Sequence, residues 1–277
     1  MNGPTAPCPA CQQRSFERVI GVNSVTIWRC ALCGLGTTVP RPTEANGHES
    51  FVEDPAYFAS AYAQPKDRWW QRFNDVPLDL LQKAGTIPGQ RFLDVGCSIG
   101  YLVAKAQGCG YEASGLDGSP AAVAFGREHL RLNLVCARIE SADIEASSQD
   151  IVVMSHVLEH LPEPVTVLKR VRDWLKPGGL LLIGVPNFAS PIARWSRERW
   201  SGLVPTQHIW HFTPDALTRV VAAADFKRIR WTTRMLVHVP CGVAGWAKWV
   251  IRRILEPLRL ADNLLLLARR VVGSEGK

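Results

Sequence analysis

From about residue 90 onward the chain alternates short apolar runs with stretches in which apolar positions recur at helical spacing. The apolar runs predict seven strands: Phe92–Val95, Tyr111–Leu116, Leu132–Cys136, Asp150–His156, Leu180–Val185, Arg228–Val237 and Asn263–Val271. Helices are predicted between them. One runs from Ile99 to about Gln107, where Gly108-Cys-Gly110 stops it, and another from Pro120 to about His129. A third starts near Pro162-Glu-Pro164 and ends at Leu175, before the turn Lys176-Pro-Gly-Gly179. A fourth runs from Pro214 to about Ala224 with Thr213 as its cap, and one more, about Asp67 to Lys83, precedes the first strand. Strands alternating with helices in this order predict an α/β fold, doubly wound around a mostly parallel sheet.

The junction after the first strand is the chemically richest stretch, Arg91-Phe-Leu-Asp-Val-Gly-Cys-Ser-Ile-Gly-Tyr101. Gly96 and Gly100 let the backbone turn sharply and let a ligand approach it. The helix that follows points free N–H groups and the positive end of its dipole at the same place. Strand, glycine turn and helix together form the nucleotide-binding corner of a doubly wound sheet. The second strand ends in Asp117-Gly-Ser119, and a carboxylate there can take both hydroxyls of a ribose. Asp94 would repel a pyrophosphate but suits a cationic ligand.

With Val157-Leu-Glu-His-Leu161 and Lys176-Pro-Gly-Gly179, these segments resemble the class I S-adenosylmethionine-dependent methyltransferases over roughly residues 55 to 272. Ser98 stands where many members have a middle glycine, and a Rossmann-like fold serving another ligand is the alternative. The resemblance implies a seven-stranded Rossmann-like fold and S-adenosylmethionine as cofactor. It implies that Asp94, Gly96, Cys97, Ser98, Gly100 and Tyr101 line the methionine side, and that Asp117, Gly118 and Ser119 hold the ribose. It further implies that Arg138, Ile139 and Glu140 lie against the adenine and that Ser155 and His156 face the reacting methyl. The Asn/Asp-Pro-Pro-Tyr tetrapeptide of base-amine methyltransferases does not occur there, which argues against a nucleic-acid acceptor.

The first forty residues read as a separate module. Cys8-Pro-Ala-Cys11 and Cys30-Ala-Leu-Cys33 are two C-x2-C pairs with the spacing of a zinc ribbon, and Phe16–Val19 with Val25–Arg29 can form a hairpin between them. Four thiolates leave no open position, so the expected zinc is structural; iron and a redox dithiol are the alternatives. A module this small needs such a staple to fold. The division is therefore a ribbon over 1–40, a linker and helical lid over 41–88 carrying Tyr57, Phe58 and Tyr62, and a methyltransferase domain over 89–277. That domain has insertions at 188–212 and 240–260.

The first insertion carries Arg194, Trp195, Arg197, Arg199, Trp200 and Trp210 after a strand's carboxyl end, where ligands of open α/β sheets bind. Indole faces can cover a sugar or acyl group there, or can simply close the core. The insertion ends in Gln207-His-Ile-Trp-His-Phe-Thr-Pro214, a block resembling methyltransferases that act on sugars and lipid-linked glycans. His208 can take a hydroxyl proton, because imidazole titrates near working pH; His156 and His211 are the other candidates, against ordinary hydrogen bonding to backbone. Glu159-His160 reads as the start of the next helix. In the second insertion, Val243, Trp246, Val250, Ile254 and Leu258 share one side of a helix and Lys248, Arg252, Glu256 and Arg259 the other. Such a basic amphipathic helix, 243–259, suits either a membrane interface or the protein's own sheet.

Composition narrows the remaining choices. A chain of 277 residues, 47% hydrophobic, can hold one domain of about 200 residues and a small module. Neither a leader-like apolar run nor a run long enough to span a bilayer is present, so a cytoplasmic protein with eight reduced cysteines is expected, peripheral to the membrane's inner face if the basic helix meets lipid. The net charge of +7 concentrates after residue 226, where eleven Lys/Arg face three Asp/Glu. The ribbon, with four Arg and two Glu in residues 1–45, is nearly neutral. The expected activity is methyl transfer to an oxygen, less favourably a carbon, of a small or lipid-linked molecule such as a sugar. An RNA methyltransferase and a non-catalytic cofactor-binding scaffold are the alternatives. Nothing in the sequence speaks to an oligomeric state.

Overall fold

The computed structural model describes residues 3–22, 24–42, 68–235 and 253–271. The ribbon strands are β1 (Phe16–Val22), β2 (Val25–Cys30) and β3 (Gly36–Val39). The helix α1 (Arg68–Gln82) leads into β4 (Arg91–Val95), α2 (Tyr101–Gly108), β5 (Glu112–Asp117), α3 (Pro120–Leu130) and β6 (Leu134–Cys136). Next come β7 (Gln149–Ser155), α4 (Pro164–Trp174) and β8 (Leu175–Pro186). The insertion contributes α5 (Pro191–Ser196) and β9 (Trp210–His211), and the chain closes with α6 (Pro214–Ala222), β10 (Phe226–Arg234) and β11 (Asn263–Arg270).

The main sheet has seven strands in the order β10-β11-β8-β7-β4-β5-β6. Strands β8, β7, β4, β5 and β6 run parallel, while β11 lies antiparallel between β8 and β10. This is the Rossmann-like α/β architecture expected from the alternation of runs. Its central strands are buried on both faces, while the edge strands β10 and β6 are largely exposed, and the period of two sorts the central side chains between two apolar layers. Leu93, Val152, Met154, Leu181 and Leu266 pack with Leu168 and Val171 of α4 and with Leu217 and Val220 of α6. Phe92, Ile151, Val153, Leu182 and Leu265 pack with Leu81 of α1, Val103 of α2 and Val123 of α3. Caps set the helix starts: the Ser119, Ser190 and Thr213 hydroxyls accept from the N–H groups of Ala122, Ala193 and Ala216, each followed by a proline.

The ribbon's sheet is completed from elsewhere in the chain. Strand β9, from the far end of the insertion, pairs antiparallel with β3, so the second sheet runs β1-β2-β3-β9. A Cβ on Gly36 would stand 2.8 Å from His211 Cβ, so only glycine admits this approach. Cys8, Cys30, Cys33 and Leu35 belong to the same apolar cluster as Ile209, Trp210 and Phe212. Two expectations change. Glu159-His160 does not start α4 but sits in its own 3-10 turn, Leu158–His160, because Pro164 opens a new helix four residues later. Lys176-Pro-Gly-Gly179 lies inside β8 as an irregularity, with Gln149 opposite Leu175 and Ile151 opposite Leu180. Tyr57, Phe58 and Tyr62, and most of the 243–259 helix, lie outside the described residues. Among the described residues no helix is long and apolar enough to cross a membrane.

Candidate functional site

The crevice opens where β4 and β5 end, because the chain leaves β4 for β5 on one side and β7 on the other. Gly96 has φ 75° and its missing Cβ would fall 2.3 Å from Val157 Cγ2. The N–H groups of Gly96 and Cys97 both donate to the Leu116 carbonyl, at 2.7 and 3.2 Å, which ties the turn to the neighbouring strand. Ser98 holds the left-handed conformation at φ 50°, where glycine would be unstrained. Its N–H donates to Asp117 Oδ2 at 2.7 Å, and the Ser119 N–H donates to Oδ1 at 2.8 Å. Asp117 thus braces the turns of β4 and β5 at once, and each carboxylate oxygen keeps a lone pair for a hydroxyl. Gly100, at φ 88°, caps the start of α2; a Cβ there would meet Leu132 Cδ1 at 2.5 Å. Gly118 has nothing within 4 Å of its would-be Cβ and so borders open space.

Asp94, at the end of β4, is buried, and burial followed by the neighbouring Asp117 pushes its carboxyl up to about 8. A buried carboxyl with no cation beside it keeps its proton; a cationic ligand would let it ionise. Two carboxyls at adjacent strand ends, beside glycine turns, fit a cationic ligand that also carries a diol. S-Adenosylmethionine has both features. Cys97 is buried, and burial with Asp94 and Asp117 raises its thiol, so it is a wall and not a nucleophile. Tyr101 stands in the first turn of α2. Of the segment after β6, Ile139 is buried, whereas Arg138 and Glu140 are exposed and pair loosely at 3.9 Å. Ser155 is the last residue of β7.

Beyond Ser155 the chain leaves the sheet abruptly. His156 has φ 56°, and its N–H donates to the Gly184 carbonyl at 2.8 Å. Its Nδ1 donates to Glu159 Oε1 at 3.1 Å. Glu159 is fully buried. Burial alone would raise its carboxyl, but the bond from His156 and the imidazoles gathered around it outweigh that, and it stays below the ordinary range. The returning insertion crosses this turn: the Ile209 N–H donates to the Glu159 carbonyl at 2.9 Å and Trp210 Nε1 to the Leu161 carbonyl at 2.9 Å. That crossing brings His208 to His160, ring centroids 4.8 Å apart and edge to face.

The three candidate histidines are not equivalent. His211 is buried, and its Nε2 lies 3.0 Å from Thr38 Oγ1, whose single hydroxyl hydrogen goes to the His208 carbonyl at 2.7 Å. Thr38 must therefore accept from His211, which makes His211 a strut between ribbon and insertion. Burial pushes it down to about 3, and His208 down to about 4. Both are neutral at physiological pH and weak as bases. His156 keeps 27% of its side chain exposed and has a buried carboxylate behind it. The sequence marks Glu159 and His160 within Val157-Leu-Glu-His-Leu161 but reads them as the start of a helix and not as chemistry, and it carries no signal for Thr38. The insertion's indoles also divide: Trp200 and Trp210 are buried, with Arg41 over Trp210 at 4.9 Å, and close the core, while Trp195 is 89% exposed.

The four ribbon cysteines bring their sulfurs within 4.8 Å of one another. Cys8 Sγ lies 3.6 Å from Cys33 Sγ and Cys11 Sγ 3.4 Å from Cys30 Sγ. A disulfide would need about 2.05 Å, whereas sulfurs bound at about 2.3 Å to one tetrahedral ion lie about 3.8 Å apart. Both knuckles have the same form: Gln12 N–H donates to Cys8 carbonyl and Gly34 N–H to Cys30 carbonyl, with Gln12 and Gly34 at φ 62° and 74°. The bond to Cys8 and burial raise the Cys33 thiol, and burial raises Cys11. Four crowded, desolvated sulfurs fit a thiophilic cation.

Comparison with known proteins agrees with this geometry. A sequence profile described as a methyltransferase domain matches residues 68–230, more than half of the chain. A ubiquinone biosynthesis O-methyltransferase of Xanthomonas campestris is 29% identical over 163 residues, which is 53% of this chain and 65% of that one. The chain thus matches less than two thirds of this relative's length. Among solved structures, a chain from the complex between the Haloferax volcanii Trm112 methyltransferase activator and a methyltransferase is similar. Its TM-score is 0.61 at 16% identity, over 79% of this chain and 97% of that one. A SAM-dependent methyltransferase of Thermotoga maritima gives 0.56 at 16% identity, over 77% and 96%. At such identities the structural likeness speaks for the fold, and the profile for the family. The crevice, the seven-stranded sheet and the matched profile agree: the chain belongs to the methyltransferase domain family and has the class I S-adenosylmethionine-dependent fold.

Proposed function

We propose that this protein transfers the methyl group of S-adenosylmethionine to a hydroxyl of a small, lipid-linked acceptor. The observation that carries the oxygen chemistry is the His156–Glu159 pair at the exit of β7: Glu159 is fully buried behind His156 Nδ1, and His156 Nε2, the nitrogen left to take a proton, faces a buried position inside the protein. In this reading Asp94, Gly96, Cys97, Ser98, Gly100 and Tyr101 border the methionine side, Asp117, Gly118 and Ser119 the ribose, and Ile139 with Arg138 and Glu140 the adenine. The sulfonium supplies an activated methyl. The acceptor oxygen forms a bond to the methyl carbon as the carbon–sulfur bond breaks, and S-adenosylhomocysteine leaves. His156 takes the hydroxyl proton while Glu159 orients the ring and balances the charge it gains. The fold's remaining work is alignment.

The relatives named ubiquinone biosynthesis O-methyltransferase support an acceptor that is small and lipid-linked. The exposed Trp195, beside Arg194, Arg197 and Arg199, suits a sugar or headgroup on that acceptor. Zinc in the Cys8, Cys11, Cys30 and Cys33 site would be structural, holding the ribbon against the insertion. The division into ribbon (1–40), linker and lid (41–88) and catalytic domain (89–277) is part of the same reading, as is a peripheral seat on the inner membrane face through 243–259. Ile254 and Leu258, on the apolar side of that segment, are 53% and 61% exposed, which suits contact with lipid.

The experiment is incubation with methyl-labelled S-adenosylmethionine and three cell fractions: soluble small molecules, membrane lipids and RNA. Label in the lipid fraction, lost in His156→Ala, is the expected result. Label in RNA, or none in any fraction despite cofactor binding, overturns the reading. Pelleting with anionic liposomes tests the membrane contact, and no lipid-dependent pelleting of the wild type refutes it.

A further inference from the structure

The turn after β7 and the crossing insertion build a second cluster of ligand-type side chains, unconnected with the cysteines. Glu159, His160 and His208 can each offer one donor atom, and these atoms lie within 4.8 Å of one another. Donors on one ion at about 2.0–2.2 Å lie at most about 4.4 Å apart, so small side-chain rotations close the set. Three features separate this group from a chance meeting of polar residues.

The two imidazoles are already oriented. His160 Nδ1 lies 3.2 Å from the Gln207 carbonyl, and His208 Nδ1 lies 3.2 Å from the Gly202 carbonyl. A carbonyl only accepts, so both Nδ1 atoms carry the hydrogen and both Nε2 atoms carry the lone pair. Backbone carbonyls fixing the tautomer from behind are the usual outer shell of histidine metal ligands. The carboxylate is prepared in the same way. Glu159 Oε1 receives His156 Nδ1, while Oε2 is buried with no hydrogen-bond partner. An unsatisfied carboxylate oxygen in a fully buried side chain is costly unless something positive meets it. Finally, the cluster is assembled from two distant segments by backbone bonds, Ile209 N–H to Glu159 carbonyl among them, so its geometry is built by the fold.

We propose that Glu159, His160 and His208 bind a late first-row divalent cation, of which zinc is the reference ion, through Glu159 Oε2 and the two Nε2 atoms. Two imidazoles and one carboxylate suit zinc, iron, cobalt or nickel; magnesium and calcium take oxygen donors. Three protein ligands leave at least one position for water or an acceptor oxygen. The ion would then share the Glu159 carboxylate with His156 and would polarise an acceptor hydroxyl bound at its open position. That role rests on the methyl-transfer reading above; occupancy of the site does not.

The test uses the full chain stripped with chelator, reloaded with zinc or cobalt in the presence of excess magnesium, desalted, and counted by elemental mass spectrometry. Two ions per wild-type chain are expected, and one in Glu159→Gln and in His160→Gln. Cobalt separates the sites spectroscopically. The intense thiolate-to-cobalt bands of the ribbon should be equal in wild type and variants, which also shows that the variants fold, and the weaker bands of a nitrogen and oxygen site should disappear. One ion in the wild type overturns the proposal. Two ions in both variants, with unchanged spectra, overturn it as well by placing the second ion elsewhere. Methyl transfer that proceeds unaltered while the second ion is bound, or removed, refutes its catalytic role and leaves the site standing.

Discussion

Asp94 provides a quantitative test of the cofactor crevice. Its carboxyl is buried and pushed up to about 8, by burial first and Asp117 second. The ligand-free protein therefore holds Asp94 protonated at neutral pH, whereas a cation beside it favours the carboxylate. Binding a cationic cofactor should release a proton at any pH between the bound value, near the ordinary carboxylate range of about 4, and about 8. The ionised fraction in the free protein is about one half at pH 8 and about one hundredth at pH 6, so the apparent Kd should rise roughly fiftyfold on that descent. At about 1.36 kcal/mol per tenfold this is about 2.3 kcal/mol. The linked effect on stability has the opposite sense. A carboxyl raised by folding favours the native state below the unfolded value, and that contribution is lost as pH rises from about 4 towards about 8. The ligand-free protein should soften over this window and the cofactor should restore it. Calorimetric titration of S-adenosylmethionine at pH 6, 7 and 8, in two buffers of different ionisation enthalpy, reads both Kd and proton release. Asp94→Asn serves as reference for titration of the cofactor's own amine. Equal pH dependence in wild type and Asp94→Asn, with no difference in proton release, would refute the assignment.

Four further outcomes follow from the same contacts. Asp117→Ala removes the acceptor for the Ser98 and Ser119 N–H groups and should weaken cofactor binding at least tenfold; unchanged affinity counts against the ribose site. Gly96→Ala sets a methyl 2.3 Å from Val157 Cγ2 at φ 75°, and should lower stability by about 2 kcal/mol, of which Val157→Ala recovers the steric part but not the backbone strain. Thr38→Val keeps the shape and strips the hydroxyl bridging the His208 carbonyl and the His211 ring; urea unfolding should show a loss of about 1–3 kcal/mol, and no loss would remove His211's role as a strut. Cys30→Ser should release zinc and lower both the melting temperature and methyl transfer, because β3 carries β9; full activity in a zinc-free protein would show that the ribbon does not support the site.

Much of the fold was legible because it is written in short-range pattern. Apolar runs bounded by glycine and acidic turns located all seven strands of the main sheet, closely except at the start of β8, and the proline-after-cap signals located α3 and α6, whereas the short α5 inside the insertion was not predicted. Gly96 and Gly100 were identifiable as turn residues from their place between a strand and a helix. Their left-handed φ values follow from that place. The weaker readings were those in which two local outcomes cost nearly the same. An indole can close a core or cover a ligand, and nothing within Phe188–Phe212 distinguishes buried Trp200 and Trp210 from exposed Trp195.

By itself, then, the sequence determined the α/β class, the crevice at the ends of β4 and β5, and the four-cysteine knuckles. Each of these depends on periodicity, on backbone freedom at a glycine, or on spacings within a few residues. Only the tertiary structure decided that β9 completes the ribbon's sheet, that Thr38 joins His208 to His211, and that Glu159 is buried between His156 and a pair of oriented imidazoles. These contacts join residues up to 175 positions apart, as Gly36 and His211 are. They form because burying the insertion's Ile209, Trp210 and Phe212 is favourable only where β3 and the turn after β7 can accept the backbone groups buried with them.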